Sequence, residues 1–392
     1  MTSRPLHMIQ IGWDAGLFDK GAASETRERQ LGYARLLSER RPGSRMTVVV
    51  LGAPVGSVPF AEDNLRAVPI TGRWGGLVRL APAFREIDRA SPVSVIATQS
   101  PLEEAWTMLA LARGRVPVVA QVHFDLLSPS ALPTGSMLRA TAGRARQRLA
   151  IRMLPRYRAV RAVAPEMADR LHALGARDVR CVPVPILDLD LLRAVADAPR
   201  EPRVLFVGRL APEKNLGLWL EVAKRVLAAH PEARFDIVGG GGLRDRLQAE
   251  ARTLGLGSAI TFHGHKQRAE LLALYASATV FLLTSDHEGF GRVLVEALAA
   301  GTAVVSTRTS GAREVLADGE VGLLSDCGDA AALADAVLAL LTDPQRRAAL
   351  VARGRQRIEG RYDPLRLTAK WIDMLIDAAE RPLPTVDPKR AS

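Results

Sequence analysis

The sequence predicts an α/β chain made of two similar units, each with a parallel sheet. Three observations lead there. At 392 residues the chain is longer than one hydrophobic core usually fills, so two domains of ordinary size are expected. Apolar residues make up 48% of it, enough for two cores. Short apolar runs alternate with amphipathic stretches along its length, the pattern of buried strands joined by right-handed helical crossovers.

Taken in order, "HMIQIG" is a buried strand and "ETRERQLGYARLLSER" the helix after it. The strands "MTVVVLG", "SVIATQS" and "VPVVAQVH" then alternate with the helices "GGLVRLAPAFREIDRA" and "EEAWTMLALARG". Four prolines and scattered charges interrupt the series in "CVPVPILDLDLLRAVADAPREPR", which reads as a linker. A second series runs from "RVLFVG" through "RFDIVGG", "AITFHG", "TVFLLTS" and "AVVSTR" as strands, each followed by an amphipathic helix, the last being "DAAALADAVLALLTD". After the Asp363-Pro364 turn, "LRLTAKWIDMLIDAAERP" is one more helix with no strand behind it, and it is expected to pack back on the first unit. The predicted domains are residues 1–196 with 365–382 returning to them, and residues 197–364. The proline-rich tail 383–392 is expected to be disordered.

Composition narrows the function classes. No run of eighteen apolar residues occurs and the N-terminus lacks a signal-peptide pattern, so a cytoplasmic chain is expected, at most peripheral on the inner face of the plasma membrane. Cys181 and Cys327 stand far apart without a CxxC or Cys/His grouping, which argues against a disulfide framework or a zinc site. Both are read as small buried apolar residues. The formal charge of +11 suggests an anionic partner. Its excess is concentrated, because Arg139, Arg144, Arg146, Arg148, Arg152, Arg156, Arg158 and Arg161 fall in a segment without an acidic residue. Arg144, Arg148 and Arg152 recur every four residues, with Leu138, Ala145, Leu149 and Met153 on an adjacent face and Pro155 ending the helix. Residues 139–161 therefore suit an anionic membrane surface or the diphosphate of a lipid. A solvated basic face is the plain alternative. Nucleic acid is disfavoured because aromatic residues do not interleave with the arginines.

Chemistry concentrates in the second series. In "RVLFVGRLAPEKN" a buried strand ends at Gly208, which places Arg209 and Lys214 at the carboxyl end of a parallel strand, where open α/β sheets bind ligands. A guanidinium fork and an ammonium point charge there suit a diphosphate. "SDHEGFGRVLVEA" repeats the arrangement, and Gly289 and Gly291 let a ligand approach the backbone at a helix start that favours an anion. Glu288 precedes that start and Glu296 lies about one and a half turns beyond it. Carboxylates so spaced can accept hydrogen bonds from the hydroxyls of a sugar and a ribose. The glycines from Gly239 to Gly242 lack the spacing of a dinucleotide fingerprint and more simply line a ligand pocket at the strand end. Asp188 and Asp190 form a D-x-D pattern, but their place in the linker argues against a metal site.

"FVGRLAPEKN", "EGFGRVLVEALAAGTAVV" and "SGAREVLADGEVGLL" together resemble the donor-binding half of a retaining glycosyltransferase of family 4, with the two-domain GT-B fold. That resemblance implies two Rossmann-like domains with parallel sheets facing across a cleft. It implies that Glu288 contacts the donor sugar, Glu296 the nucleotide ribose, and Arg209 and Lys214 the diphosphate. Phe290, Gly291, Arg292 and Val293 would complete the donor site, with Gly239, and with His265 and Lys266 near the base. "VPVVAQVHFD" ends a strand at His123, whose counterpart in the family approaches the donor sugar near the reacting centre. The loop "DAGLFDKGAASETRERQ", with Gly16 and Gly21, departs from the family's glycine-rich loop. The implied reaction moves a sugar from a nucleoside diphosphate sugar to a hydroxyl of a lipid-linked or glycan acceptor, with no cofactor and no required metal. Two other readings stay open at this point: a glycoside hydrolase using Glu288 and Glu296 as acid and base, and a non-catalytic sugar-nucleotide-binding protein.

Overall fold

The computed structural model describes residues 4–18, 25–72, 75–112, 114–123 and 137–382, with side chains at 137–140 and at 75, 76 and 103 left aside. The tail 383–392, Gly21, and the side chains of Leu138 and Arg139 lie outside what is described. By contacts the chain forms two units, Met1–Val182 with Leu365–Ser392, and Pro183–Pro364.

In the first unit, strands β1 (His7–Gly12), β2 (Arg45–Ala53), β3 (Phe60–Glu62), β4 (Leu65–Thr71), β5 (Val95–Thr98), β6 (Val118–Val122), β7 (Ala159–Ala162) and β8 (Val179–Cys181) form one sheet in the order β3-β4-β2-β1-β5-β6-β7-β8. All neighbours are parallel except β3 with β4. Helices α1 (Glu25–Arg40), α2 (Gly75–Ala90), α3 (Glu103–Ala112), α4 (Met137–Met153) and α5 (Pro165–Ala173) make the crossovers. The sequence pattern misses β3, β4, β7, β8 and α5. "LRAVPIT" carries Pro69, which argues against a strand. The fold accommodates it because β3 pairs only as far as Ala67, so one side of β4 has no ladder to complete there.

The second unit holds α6 (Leu189–Ala194), then β9 (Glu201–Val207), α7 (Leu216–Ala229), β10 (Arg234–Val238), α8 (Arg244–Thr253), β11 (Ile260–Gly264), α9 (Arg268–Ser277), β12 (Ala278–Leu283), α10 (Arg292–Ala299), β13 (Ala303–Thr307), α11 (Ser310–Val315), β14 (Leu323–Ser325), α12 (Ala330–Thr342) and α13 (Pro344–Arg361). Its strands are all parallel, in the order β11-β10-β9-β12-β13-β14. The predicted linker is in part folded. Leu189 and Leu192 of α6 are buried, Asp188 pairs with Arg268 of α9, and Asp190 with Arg193 at 2.8 Å. The second unit therefore begins at Pro183 rather than at 197. Helix α13, which the sequence pattern does not single out, buries Leu350, Gly354 and Ile358 along one face.

Helix α14 (Pro364–Glu380) packs on the first unit. Its Trp371, Ile372, Met374, Leu375 and Ile376 join Met8, Met46, Val48 and Tyr33 in one buried cluster. Ion pairs fasten its far end, Glu380 to Arg41 at 2.8 Å and Asp377 to Arg180. Arg161 of β7, itself buried, lies over the Trp371 ring at 4.6 Å and donates to Gln121 Oε1 (2.9 Å) and Val182 O (2.8 Å). Neither cysteine is a core residue: Cys181 is half-buried on the edge strand β8 and Cys327 is exposed beyond the edge strand β14. An edge strand covers the residues at its margin on one side only, so both lose the shelter that a central strand gives.

Candidate active site

The parallel order of the second sheet sends every strand out at the same edge, so the loops after β9, β10, β11, β12 and β13 gather there. The turn after β9 holds Arg209 and a short 3-10 segment, Pro212–Lys214. Asn215 then takes φ 44 and its side-chain oxygen accepts from Leu218 N at 3.3 Å, which caps α7. This turn is tied to the loop after β12. Asp286 N donates to Glu213 O (3.0 Å), Asn215 Nδ2 to Asp286 Oδ1 (2.9 Å), and Thr284 Oγ1 to Lys214 O and Asn215 O (3.1 Å each).

These ties bring together two predicted residues that are distant in the chain. Lys214 Nζ lies 2.5 Å from Glu288 Oε2, with side-chain exposures of 15% and 16%. A charge-assisted bond in so sheltered a place is stronger than its surface equivalent. Arg209 is not part of it. Its side chain is 79% exposed and pairs with Glu213 at 2.8 Å, an exposed i,i+4 contact of about 0.5 kcal/mol or less. The guanidinium is therefore available to a ligand at little cost.

Beyond Glu288 the chain passes the buried Phe290, whose ring meets Tyr362 at 5.8 Å, and reaches Gly291 at φ 80, the cap of α10. The left-handed conformation suits glycine, and the first-turn amides of Arg292 and Val293 sit at the positive end of the helix. Gly311 seats this loop from the other side. Gly311 N donates to Glu288 O at 2.9 Å and Ser310 Oγ reaches the same oxygen at 3.3 Å.

Glu296 is directed inward, with its side chain 12% exposed. Oε2 accepts from the Tyr275 hydroxyl at 3.0 Å and Oε1 from Arg292 Nε at 2.7 Å. Burial, with the Glu296 charge beside it, holds the Tyr275 hydroxyl well above its ordinary pKa, so Tyr275 is a fixed donor. Arg292 is thus engaged with Glu296, and Lys266 with Glu270 at 2.5 Å. His265 is exposed and lies against Gly240. The loop glycines have a steric reason besides any ligand: a Cβ on Gly239 would fall 1.9 Å from Gly208 O, and one on Gly241 2.3 Å from Leu210 O. They allow the β9 and β10 loops to interlock, with Leu210 N donating to Gly240 O at 2.9 Å.

In the first unit His123 follows β6 directly and is half-buried. Burial, then the positive charges of Arg161 and Arg29, lower its imidazole to about 3. It is neutral across the physiological range. Arg144, Arg148 and Arg152 are exposed on α4, as the sequence implies, but the apolar face differs. Among the described side chains of α4, Gly143 and Ala150 are the buried positions, followed by Leu154 just past its end, whereas Ala145 is exposed and Leu149 is 39% exposed. The helix rests on its small residues and leaves Leu149 beside the arginines.

Glu213, Tyr275, Asp286, Ser310 and Gly311 are the site residues that sequence reasoning missed. Glu213, Asp286, Ser310 and Gly311 lie inside the motifs quoted above without being singled out by them, and Tyr275 lies outside those motifs. Among the described residues no three His, Cys, Asp or Glu side chains group as a metal site, and no helix is long and apolar enough to cross a membrane.

Residues 191–357 match the family model for glycosyl transferases group 1, and residues 28–186 match that for a glycosyl transferase 4-like domain. A phosphatidyl-myo-inositol mannosyltransferase of Mycolicibacterium smegmatis is 31% identical over 336 residues, covering 83% of each chain. A lipopolysaccharide core biosynthesis glycosyltransferase of Rhizobium meliloti is 31% identical over 54% of this chain and 62% of that one. Among solved structures, sucrose-phosphate synthase from Thermosynechococcus elongatus superposes with a TM-score of 0.74 at 21% identity, covering 94% of this chain and 98% of that one. HepE from Anabaena, solved with UDP and glucose, gives 0.71 at 19%, covering 95% and 100%. These two likenesses concern the GT-B fold.

Proposed function

The chain belongs to the group 1 glycosyl transferases of family 4, and from that premise we propose that it is a retaining enzyme moving a sugar from a nucleoside diphosphate sugar to a hydroxyl of a lipid-linked or glycan acceptor, without a required metal. The observation that carries this reading is the sheltered Lys214–Glu288 pair beside the start of α10. An ammonium has three donors and a carboxylate about four acceptor sites. Lys214 can therefore keep Glu288 while donating to a phosphate oxygen, and Glu288 can accept from sugar hydroxyls. Glu296 likewise has acceptor sites beyond those used by Tyr275 and Arg292, and serves the ribose. Arg209, loosely held by Glu213, closes on the diphosphate.

In the reaction the bond between the anomeric carbon and the phosphate oxygen breaks and a bond to the acceptor oxygen forms on the same face. The acceptor proton passes to the departing diphosphate. Lys214, Arg209 and the amides at the start of α10 stabilise the charge that develops there, and neutral His123 donates to the sugar. The name of the mycobacterial mannosyltransferase relative supports a lipid acceptor. The arginines of α4, with Leu149, would hold the chain peripherally at an anionic cytoplasmic membrane face. The hydrolase reading is less favoured, since one carboxylate is ion-paired and the other is bound by Tyr275 and Arg292.

The test is a thermal-shift panel of nucleoside diphosphates and their sugars, since a ligand of the native state raises its stability with the logarithm of ligand excess. Glu288→Ala should abolish most turnover and leave nucleoside diphosphate affinity nearly intact. Arg209→Ala should weaken that affinity, and unchanged binding in this variant would overturn the assignment.

A further inference from the structure

The first sheet also carries a built cavity at the amino-terminal ends of its strands, away from the edge that holds His123. In register, His7 of β1 lies beside Arg45 of β2, and Thr47 of β2 beside Arg66 of β4. Side chains alternate along a strand, and neighbours in register share a face. These four therefore form a polar row across three strands on one face of the sheet. Ile87 and Ala90 in the last turn of α2, with Ser91 after it, border the row on one side of a pocket of about 410 Å³ that is open to solvent.

The cavity walls are ordered by bonds within the protein. His7 is buried, with Nδ1 2.8 Å from Ser91 O and Nε2 2.9 Å from Thr47 Oγ1. A carbonyl cannot donate, so Nδ1 carries the hydrogen, and in the neutral ring Nε2 accepts from Thr47. Asn64 Nδ2 donates to Ala34 O (2.5 Å), Ser44 Oγ accepts from Leu6 N (2.7 Å), and Asp63 pairs with Arg35 at 3.2 Å. Arg45 and Arg66 are the exceptions. Among the described residues neither makes an ion pair or a side-chain hydrogen bond, yet both line the cavity.

Both side chains are exposed to solvent, and two guanidiniums without a protein partner on one pocket favour an anion. The carboxyl end of α2 opposes this with a partial charge of roughly −0.5, and the charge of Asp63 is already met by Arg35. Asp88 adds a carboxylate close enough to act on His7, and the two full positive charges still exceed that charge and the helix end together. The volume falls within the range of small-molecule sites, about 300–1,000 Å³, and has room for more than one phosphate group. The rest of the lining, Ser38, Ser91 and the Asp63 carboxylate, offers partners for hydroxyls. We propose that this cavity binds a small phosphorylated polyol, its phosphate held between Arg45 and Arg66 and its hydroxyls by Ser38, Ser91 and Asp63. Guanidiniums suit the doubly charged phosphomonoester through paired N–H donors.

The experiment uses the full chain carrying Arg209→Ala and Lys214→Ala, so that those cations do not contribute. Ribose 5-phosphate, glycerol 3-phosphate, inorganic phosphate and neutral ribose are titrated by thermal shift. The phosphomonoesters should give a saturable rise in Tm, inorganic phosphate a weaker one and ribose none. Adding Arg45→Gln and Arg66→Gln should raise the Kd for ribose 5-phosphate at least tenfold. The unliganded Tm should stay as it was, since neither guanidinium holds a partner in the fold. Absence of saturable stabilisation, or equal affinity with and without the two arginines, overturns the site. Inorganic phosphate binding as tightly as the esters overturns the polyol assignment.

Discussion

Gly311→Ala tests whether the placement of Glu288 depends on a residue that carries no chemical group. An added Cβ would lie 2.8 Å from Glu288 O, from Phe290 N and from Phe290 C. Carbon contacts are comfortable at about 3.5–4.0 Å, so the shortfall is more than half an ångström, and all three atoms are backbone that no rotamer change can move aside. Overpacking of this kind costs about 1–3 kcal/mol. Replacing glycine by alanine in a helix returns about 0.5–1 kcal/mol at most, which leaves a net loss of roughly 1–2 kcal/mol. Either α11 or the 288–290 loop must shift, and the bond from Gly311 N to Glu288 O weakens with it. A displacement approaching 1 Å in a reacting group can lower turnover by about a hundredfold. The assay is denaturant unfolding together with nucleoside diphosphate release from the sugar nucleotide that the panel selects. Gly32→Ala is the control, because nothing lies within 4 Å of its added Cβ in α1, and it should gain roughly 0.5–1 kcal/mol. Wild-type stability and turnover in Gly311→Ala would refute the reasoning.

His123→Asn should alter the pH dependence of stability. The folded imidazole is lowered to about 3 from its ordinary 6.5, so as pH falls below 6.5 the unfolded chain binds a proton that the folded chain does not. Stability then falls by up to about 1.4 kcal/mol per pH unit, with no contribution above 6.5. Urea midpoints at pH 7.0 and 5.5 should converge in the variant, and an unchanged difference would argue against a neutral His123. Tyr275→Phe removes the donor to a carboxylate that is 12% exposed and should cost about 1–3 kcal/mol in unfolding free energy; a change below about 0.5 kcal/mol would mean that Arg292 alone satisfies Glu296. Replacing Arg144, Arg148 and Arg152 together by Gln should weaken sedimentation with anionic vesicles about a hundredfold, at about 1 kcal/mol per cation. Unchanged sedimentation would remove the membrane reading.

Much of the site was legible because its signals are local. A buried run such as "TVFLLTS" followed by a polar loop and an amphipathic helix states where a strand ends, and the ligand-binding edge follows from that. Lys214 and Glu288 could be placed at that edge from the chain alone. Their 2.5 Å contact could not, since it depends on the β9 and β12 loops, 74 residues apart, being laced together by Asn215, Asp286 and Thr284. Glu296 shows the limit more sharply. Helical spacing gives its depth along α10, but nothing in the spacing shows that Tyr275, on another helix, occupies one of its oxygens.

The sequence by itself determined the two parallel-sheet units, the returning helix α14, the family, and the strand-end position of the charged residues, because periodic burial and loop position are written in neighbouring residues. Only the tertiary structure decided which charge pairs with which. It settled that Arg209 is held by Glu213 at the surface, that α4 rests on Gly143 and Ala150 rather than on Leu149, and that Arg45 and Arg66 share a cavity. Those outcomes depend on sheet register and on the packing of residues far apart in the chain. Neither periodicity nor motif spacing encodes the distance between such side chains.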